Sequence, residues 1–93
     1  MNIGKAVRLC RHQKGLTQAQ LAEMSGLSVS FLSMLEKGRR DPSLSSIQSI
    51  ASALEVPVSI LVFLGADNED LVGMSQELTE KLSSAALRLV QAG

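Results

Sequence analysis

Apolar residues recur at three- and four-residue steps through most of this chain, the spacing that lines one side of an α-helix. Ile3, Ala6, Val7 and Cys10 mark a first helix over residues 2–14, which Gly15 ends. Thr17 stands where an N-cap belongs, ahead of a second helix from Gln18 to Ser25 whose inner side is Leu21 and Ala22. Gly26 suits a left-handed cap and turn. Ser28 caps a third helix that runs to about Lys37 and stops at Gly38. "RRDPS" interrupts the pattern, because the residue before Pro42 is pushed out of helical geometry. Ser43 opens a fourth helix whose apolar residues are Leu44, Ile47, Ile50, Ala51 and Leu54, and Pro57 begins a short fifth one ending near Leu64. "GADNED" has the glycine and acid content of a linker. Beyond it, Leu78, Leu82, Ala85, Ala86 and Leu89 form one stripe on a last helix, about Ser75 to Gln91.

Composition agrees with an all-α class. Apolar residues make up 45% of the 93 but aromatics only 2%, so the core must be aliphatic, whereas strands favour aromatic and β-branched residues. The length suits one domain, or one domain with a tail. Cys10 is the single cysteine and cannot form an internal disulfide, and no His or second Cys stands at metal-ligand spacing. No metal and no cofactor are expected. The N-terminus carries charges where a secretory signal would need an apolar stretch. The longest apolar run, "VPVSILVFL", is about half the roughly 20 residues that cross a bilayer. The expected location is cytoplasmic, with no membrane partner.

Formal net charge is zero, but its distribution is uneven. Residues 1–65 hold Lys5, Arg8, Arg11, Lys14, Lys37, Arg39 and Arg40 against Glu23, Glu36, Asp41 and Glu55, a balance of +3. Residues 66–93 hold Lys81 and Arg88 against Asp67, Glu69, Asp70, Glu77 and Glu80, a balance of −3. A basic front is thus joined to an acidic back. His12 has no carboxylate or nucleophile arranged beside it and no glycine-rich phosphate loop exists, so an enzyme is not expected.

Two short helices joined through "SGLS" describe a helix-turn-helix. "LTQAQLAEMSGLS", "FLSMLEKGRRDPSL" and "IASALEV" resemble the Cro/phage-repressor (XRE-like) family of DNA-binding transcriptional regulators. Leu16-Thr17-Gln18, Leu21-Ala22, Gly26, Leu32, Glu36-x-Gly38, Pro42 and Leu54 fall in the family's register, from residue 3 to about 64. The resemblance implies a five-helix lambda-repressor-like helix-turn-helix domain over 1–65, leaving a linker at 66–74 and a C-terminal amphipathic helix at 75–93. It also implies double-stranded DNA as the partner. In the family a helix-one Arg pairs with a helix-three Glu, and the matching residues are Arg11 and Glu36, otherwise two separate solvated charges.

On a helix turning roughly 100° per residue, the inward direction of helix three lies between Leu32 and Leu35. Ser30, Ser33, Met34 and Lys37 fall opposite, with Val29 nearer the edge; Glu36 and Phe31 take the two flanks. Phe31 is expected to pack rather than to stack on a base. Val29, Ser30, Ser33 and Met34 are the base-reading candidates. None is a bidentate reader, since serine bonds to several base edges and Val29 or Met34 reaches only a thymine methyl. The free N–H groups at the start of helix two suit a phosphate, and Gln18 can add an amide donor there, as the family's equivalent does. Thr17, Gln18, Ser28, Lys37, Arg39 and Arg40 are therefore the phosphate-contact candidates.

Such a module acts best in pairs, with half-sites roughly 34–36 Å apart. "VPVSILVFL" is apolar nearly all round and the tail carries a second apolar stripe, so Ile60, Phe63, Leu64, Leu71, Leu78, Leu82 and Leu89 are candidates for a homodimer interface. Either the tail folds back on helix five, or both meet a second subunit. A regulator, most simply a repressor, is the leading expectation. Two alternatives stay open: an antitoxin or restriction–modification controller whose tail binds a protein partner, and a helix-turn-helix scaffold used for protein interaction.

Overall fold

A computed structural model describes residues 2–66 and 76–92, and within the last helix the side chains of 77, 80, 81, 83–88 and 90. Six helices form among these residues: α1 (Ile3–Gln13), α2 (Gln18–Ser25), α3 (Val29–Glu36), α4 (Leu44–Leu54), α5 (Val58–Leu64) and α6 (Gln76–Ala92). They match the expected all-α order, with boundaries displaced by no more than one residue.

Each early helix begins on a side chain that accepts an orphan backbone N–H. Thr17 Oγ1 accepts from Gln20 N at 3.1 Å while Gln20 Oε1 accepts from Thr17 N at 2.8 Å, a reciprocal capping box. Ser28 Oγ accepts from Phe31 N at 3.0 Å, and Ser43 Oγ from Ser46 N at 3.1 Å. Asn2 does the same for α1, accepting from Lys5 N at 3.0 Å. The α2–α3 turn passes through Gly26 at φ 71°, a left-handed conformation that costs glycine nothing. At the end of α4, Glu55 takes that role at φ 58° without being a glycine.

The core is aliphatic, as the composition required. Val7, Cys10, Leu21, Leu32, Ile50 and Leu61 are completely buried. α1 lies at the centre of the assembly, packed on α3, α4, α5 and α6, while α2 closes over α3 and α4. The crossing of α1 and α3 is unusually close. A Cβ added at Gly4 would overlap the Leu35 carbonyl oxygen, so only glycine lets these backbones meet.

Two expectations about apolar surface change. Leu44, counted among the apolar residues of helix four, is 67% exposed, because it occupies the first helical position, ahead of the turn that meets the core. Leu64, named for a dimer interface, is only 7% exposed and belongs to the core of its own chain. Helix five buries Leu61 and Leu64 against α1, α4 and α6, so the apolar run finds most of its cover internally. Ile60 and Phe63 are half-buried against the same core, leaving Val62 as the exposed large apolar residue of α5.

The tail helix rests on α1 and α5 of the same chain, with Val90 fully buried and Ala86 nearly so. Leu71 lies outside the described residues, as do the side chains of Leu78, Leu82 and Leu89. No single described helix is long and apolar enough to cross a membrane.

Candidate nucleic-acid interface

α3 is held by its inner residues and presents the rest. Leu32 and Leu35 are buried at 0% and 1% exposure, whereas Val29 and Met34 remain 46% and 40% exposed. Ser30 is exposed as well. Three of the four base-reading candidates therefore share an open face, as the helical spacing required. Ser33 differs: it is half-buried and lines a cavity of about 220 Å³ with Arg8, Arg11, Gln18, Glu36 and Lys37.

The Arg11–Glu36 pair forms, and it is bidentate. Arg11 Nε donates to Glu36 Oε2 at 2.9 Å and Nη2 donates to Oε1 at 2.8 Å, joining α1 to α3 across 25 residues of sequence. The same guanidinium donates through Nη1 to the Leu16 carbonyl at 2.9 Å, which fixes the entry into α2. Nη2 also lies 3.2 Å from His12 Nε2. Both charged side chains are largely withdrawn from water, at 11% and 4% exposure. A pair this buried orients what it joins more than it adds net stability.

Gln18 is drawn into this cluster. Its Nε2 donates to Glu36 Oε1 at 3.3 Å, so the residue expected to offer its amide to a phosphate spends one of two hydrogens inside the protein. The bond sets the direction of the amide and leaves the second hydrogen available. Thr17 and Ser28 likewise use their oxygens as cap acceptors, keeping their hydroxyl protons for donation.

Lys37, Arg39 and Arg40 follow α3 as an exposed basic run. The Arg40 guanidinium carbon stands 5.5 Å from the centroid of the Phe31 ring, a cation–π contact that limits where Arg40 points. Phe31 itself is half-buried against the core, as a packing residue should be. Arg8 was not among the expected site residues. The signal that could have found it is its position one helical turn before Arg11 on the same face of α1.

This arrangement of a capped α2, a glycine turn and an α3 locked from behind has counterparts elsewhere. A family model described as helix-turn-helix matches residues 6–61. The chain belongs to the Cro/phage-repressor helix-turn-helix family. Among relatives of this helix-turn-helix protein, the immunity repressor protein of Bacillus phage phi105 is 42% identical over 62 residues, covering 67% of this chain and 43% of the repressor. The competence pilus inhibition repressor of Acinetobacter baylyi is 42% identical over 73 residues, covering 78% and 66% of the two chains. This chain thus spans between two fifths and two thirds of the length of these relatives. Two solved structures share its fold. The restriction-modification controller protein C.AhdI from Aeromonas hydrophila has a TM-score of 0.63 and 38% identity, covering 64% of this chain and 91% of that one. The clp gene regulator ClgR from C. glutamicum has a TM-score of 0.67 and 31% identity, covering 80% and 92%.

Proposed function

We propose that this helix-turn-helix protein is a sequence-selective binder of double-stranded DNA that regulates transcription, acting as a repressor and as a homodimer on a pseudopalindromic operator in the cytoplasm. The carrying observation is the outer face of α3: Val29, Ser30 and Met34 stand open while Arg11 and Gln18 hold the helix by Glu36 on its flank. In this reading those three residues meet base edges in the major groove. Thr17, Gln18, Ser28, Lys37, Arg39 and Arg40 hold the flanking phosphates, and that fixes the register of the helix.

With no bidentate side chain on the reading face, each base pair is discriminated weakly, and two protomers are needed for a selective site. Exposed Val62 with half-buried Ile60 and Phe63, together with Leu71, Leu78, Leu82 and Leu89 on the apolar stripe that the tail's sequence predicts, are assigned to the partner protomer. An electrophoretic shift against the region upstream of its own gene tests the proposal. A complex that survives excess competitor DNA is expected, weakening roughly 10³–10⁵-fold between 50 and 200 mM salt for about 6–10 phosphate contacts. Equal competition by every sequence would leave only the scaffold reading.

A controller role in a restriction–modification operon is the second reading. Its support is the C.AhdI likeness, which covers 91% of that chain. Co-expression with neighbouring genes separates the two through any stable heterocomplex formed by the tail.

A further inference from the structure

The cavity between α1, α2 and α3 holds more positive charge than its ion pair consumes. Its walls are Arg8, Arg11, Gln18, Ser33, Glu36 and Lys37. Arg11 and Glu36 neutralise one another at 2.8 Å. Arg8 and Lys37 remain, both exposed and neither in an ion pair among the described residues. Gln18, with a second amide hydrogen not used by Glu36, and Ser33, with its hydroxyl, line the same cavity. Two cations and two neutral polar side chains, from α1, the start of α2 and the end of α3, line about 220 Å³ of open space. The complement is a compact anion with several acceptor oxygens.

We propose that this cavity seats one phosphodiester of the DNA backbone, making Arg8 a phosphate contact and moving Ser33 from base reading to phosphate binding. The proposal rests on the DNA-binding reading above and extends it. Placement favours a backbone phosphate over a free ligand. The cavity lies between the start of α2 and the end of α3, directly beside the open face of Val29, Ser30 and Met34, where a strand following the groove must pass. Arg11 is already engaged by Glu36 and by the Leu16 carbonyl, so an anion there meets Arg8 and Lys37 without competing for Arg11. Clamping by α1 fixes the depth of α3 in the groove, and the base-reading set contracts to Val29, Ser30 and Met34.

The test uses the full chain with the best duplex selected from random DNA, together with single-base variants of that duplex. Binding is followed by fluorescence anisotropy from 50 to 200 mM salt for wild type, Arg8→Gln, Ser33→Ala and, as a charge control on α6, Arg88→Gln. Arg8→Gln is expected to weaken every duplex by the same factor, about tenfold per protomer. It should also flatten the slope of log affinity against log salt by about 0.9 per protomer. Ser33→Ala should give a smaller uniform loss with the base preferences unchanged. Arg88→Gln should keep the wild-type slope, and all variants should melt within a few degrees of wild type. An unchanged slope in Arg8→Gln, or a relaxed preference at one base pair in Ser33→Ala, overturns the seat while leaving DNA binding intact. A wild type that binds no duplex sinks both readings. Inorganic phosphate titrated into the free protein completes the test: saturable movement of the Arg8 Nε–H resonance, with no salt-slope change on DNA, would assign the cavity to a free phosphate ligand instead.

Discussion

Single residues govern this protein where backbones meet or charges are hidden. Gly4 is the sharpest case. Alanine in place of a helical glycine ordinarily gains about 0.5–1 kcal/mol, yet here the added methyl meets the Leu35 carbonyl oxygen. Gly4→Ala should therefore lose about 1–3 kcal/mol, comparable to an overpacked core, and lower the melting temperature by roughly 5–15 °C. Thermal denaturation followed by circular dichroism reads the sign directly; a stabilised variant would mean that α1 and α3 do not approach this closely. Cys10 offers a chemical check on the core. Its thiol is fully buried, and desolvation by burial raises its pKa although the Lys14 ammonium pulls it down. Because the folded value lies above the unfolded one, the fold favours the neutral thiol. That contribution is complete below the ordinary thiol range and is lost as pH rises through the folded value, so stability should decline above about pH 8.5. A thiol reagent at pH 8 should modify native protein far more slowly than denatured protein.

At the scale of elements, α3 is held in place by more than its own sequence. Leu32 and Leu35 give it an inner side, but the rotation and height of the helix depend on Glu36 gripping Arg11 while Arg11 grips the Leu16 carbonyl. Glu36→Ala leaves a guanidinium buried without its counter-ion and should cost about 3–5 kcal/mol in denaturant unfolding. The double variant Arg11→Met, Glu36→Leu should recover most of that loss, since apolar replacement of a buried pair is often neutral or better. Its operator affinity should nevertheless stay below wild type, because Gln18 then loses its Glu36 partner and the Leu16 carbonyl its guanidinium. Full recovery of both stability and binding would show that the pair contributes nothing to positioning. The Arg11–Glu36 partnership was legible only through the family register, since no local rule links residues 25 apart.

For the molecule as a whole, the decisive feature is where its apolar surface is spent. Counting apolar residues left helix five and the tail both in search of partners. In the folded chain Leu61, Leu64, Ala86 and Val90 answer much of that demand internally, with α6 lying on α1 and α5. Val90→Ala should accordingly cost roughly 1–3 kcal/mol, and deletion of residues 66–93 should destabilise the remainder as well as any dimer. Denaturant midpoints measured with sedimentation distinguish the two effects. A truncated chain as stable as the full one would return α6 to the role of a detachable interface.

Periodicity and caps were sufficient to place all six helices to within a residue, because both are interactions between residues three or four apart and need no knowledge of the fold. Thr17, Ser28 and Ser43 announce helix starts, and the alternation of Leu32 and Leu35 with Ser30 and Met34 separates the inner face of α3 from its outer one. The motif register added Arg11 and Glu36. What no local pattern contains is the approach of distant segments: Gly4 against Leu35, Gln18 turned onto Glu36, Ser33 and Arg8 lining one cavity, Leu64 withdrawn from the surface. These depend on how helices already formed pack together. Packing settles which of several equally apolar or equally polar faces is covered, and so only the tertiary structure could decide which residues remain to meet a partner.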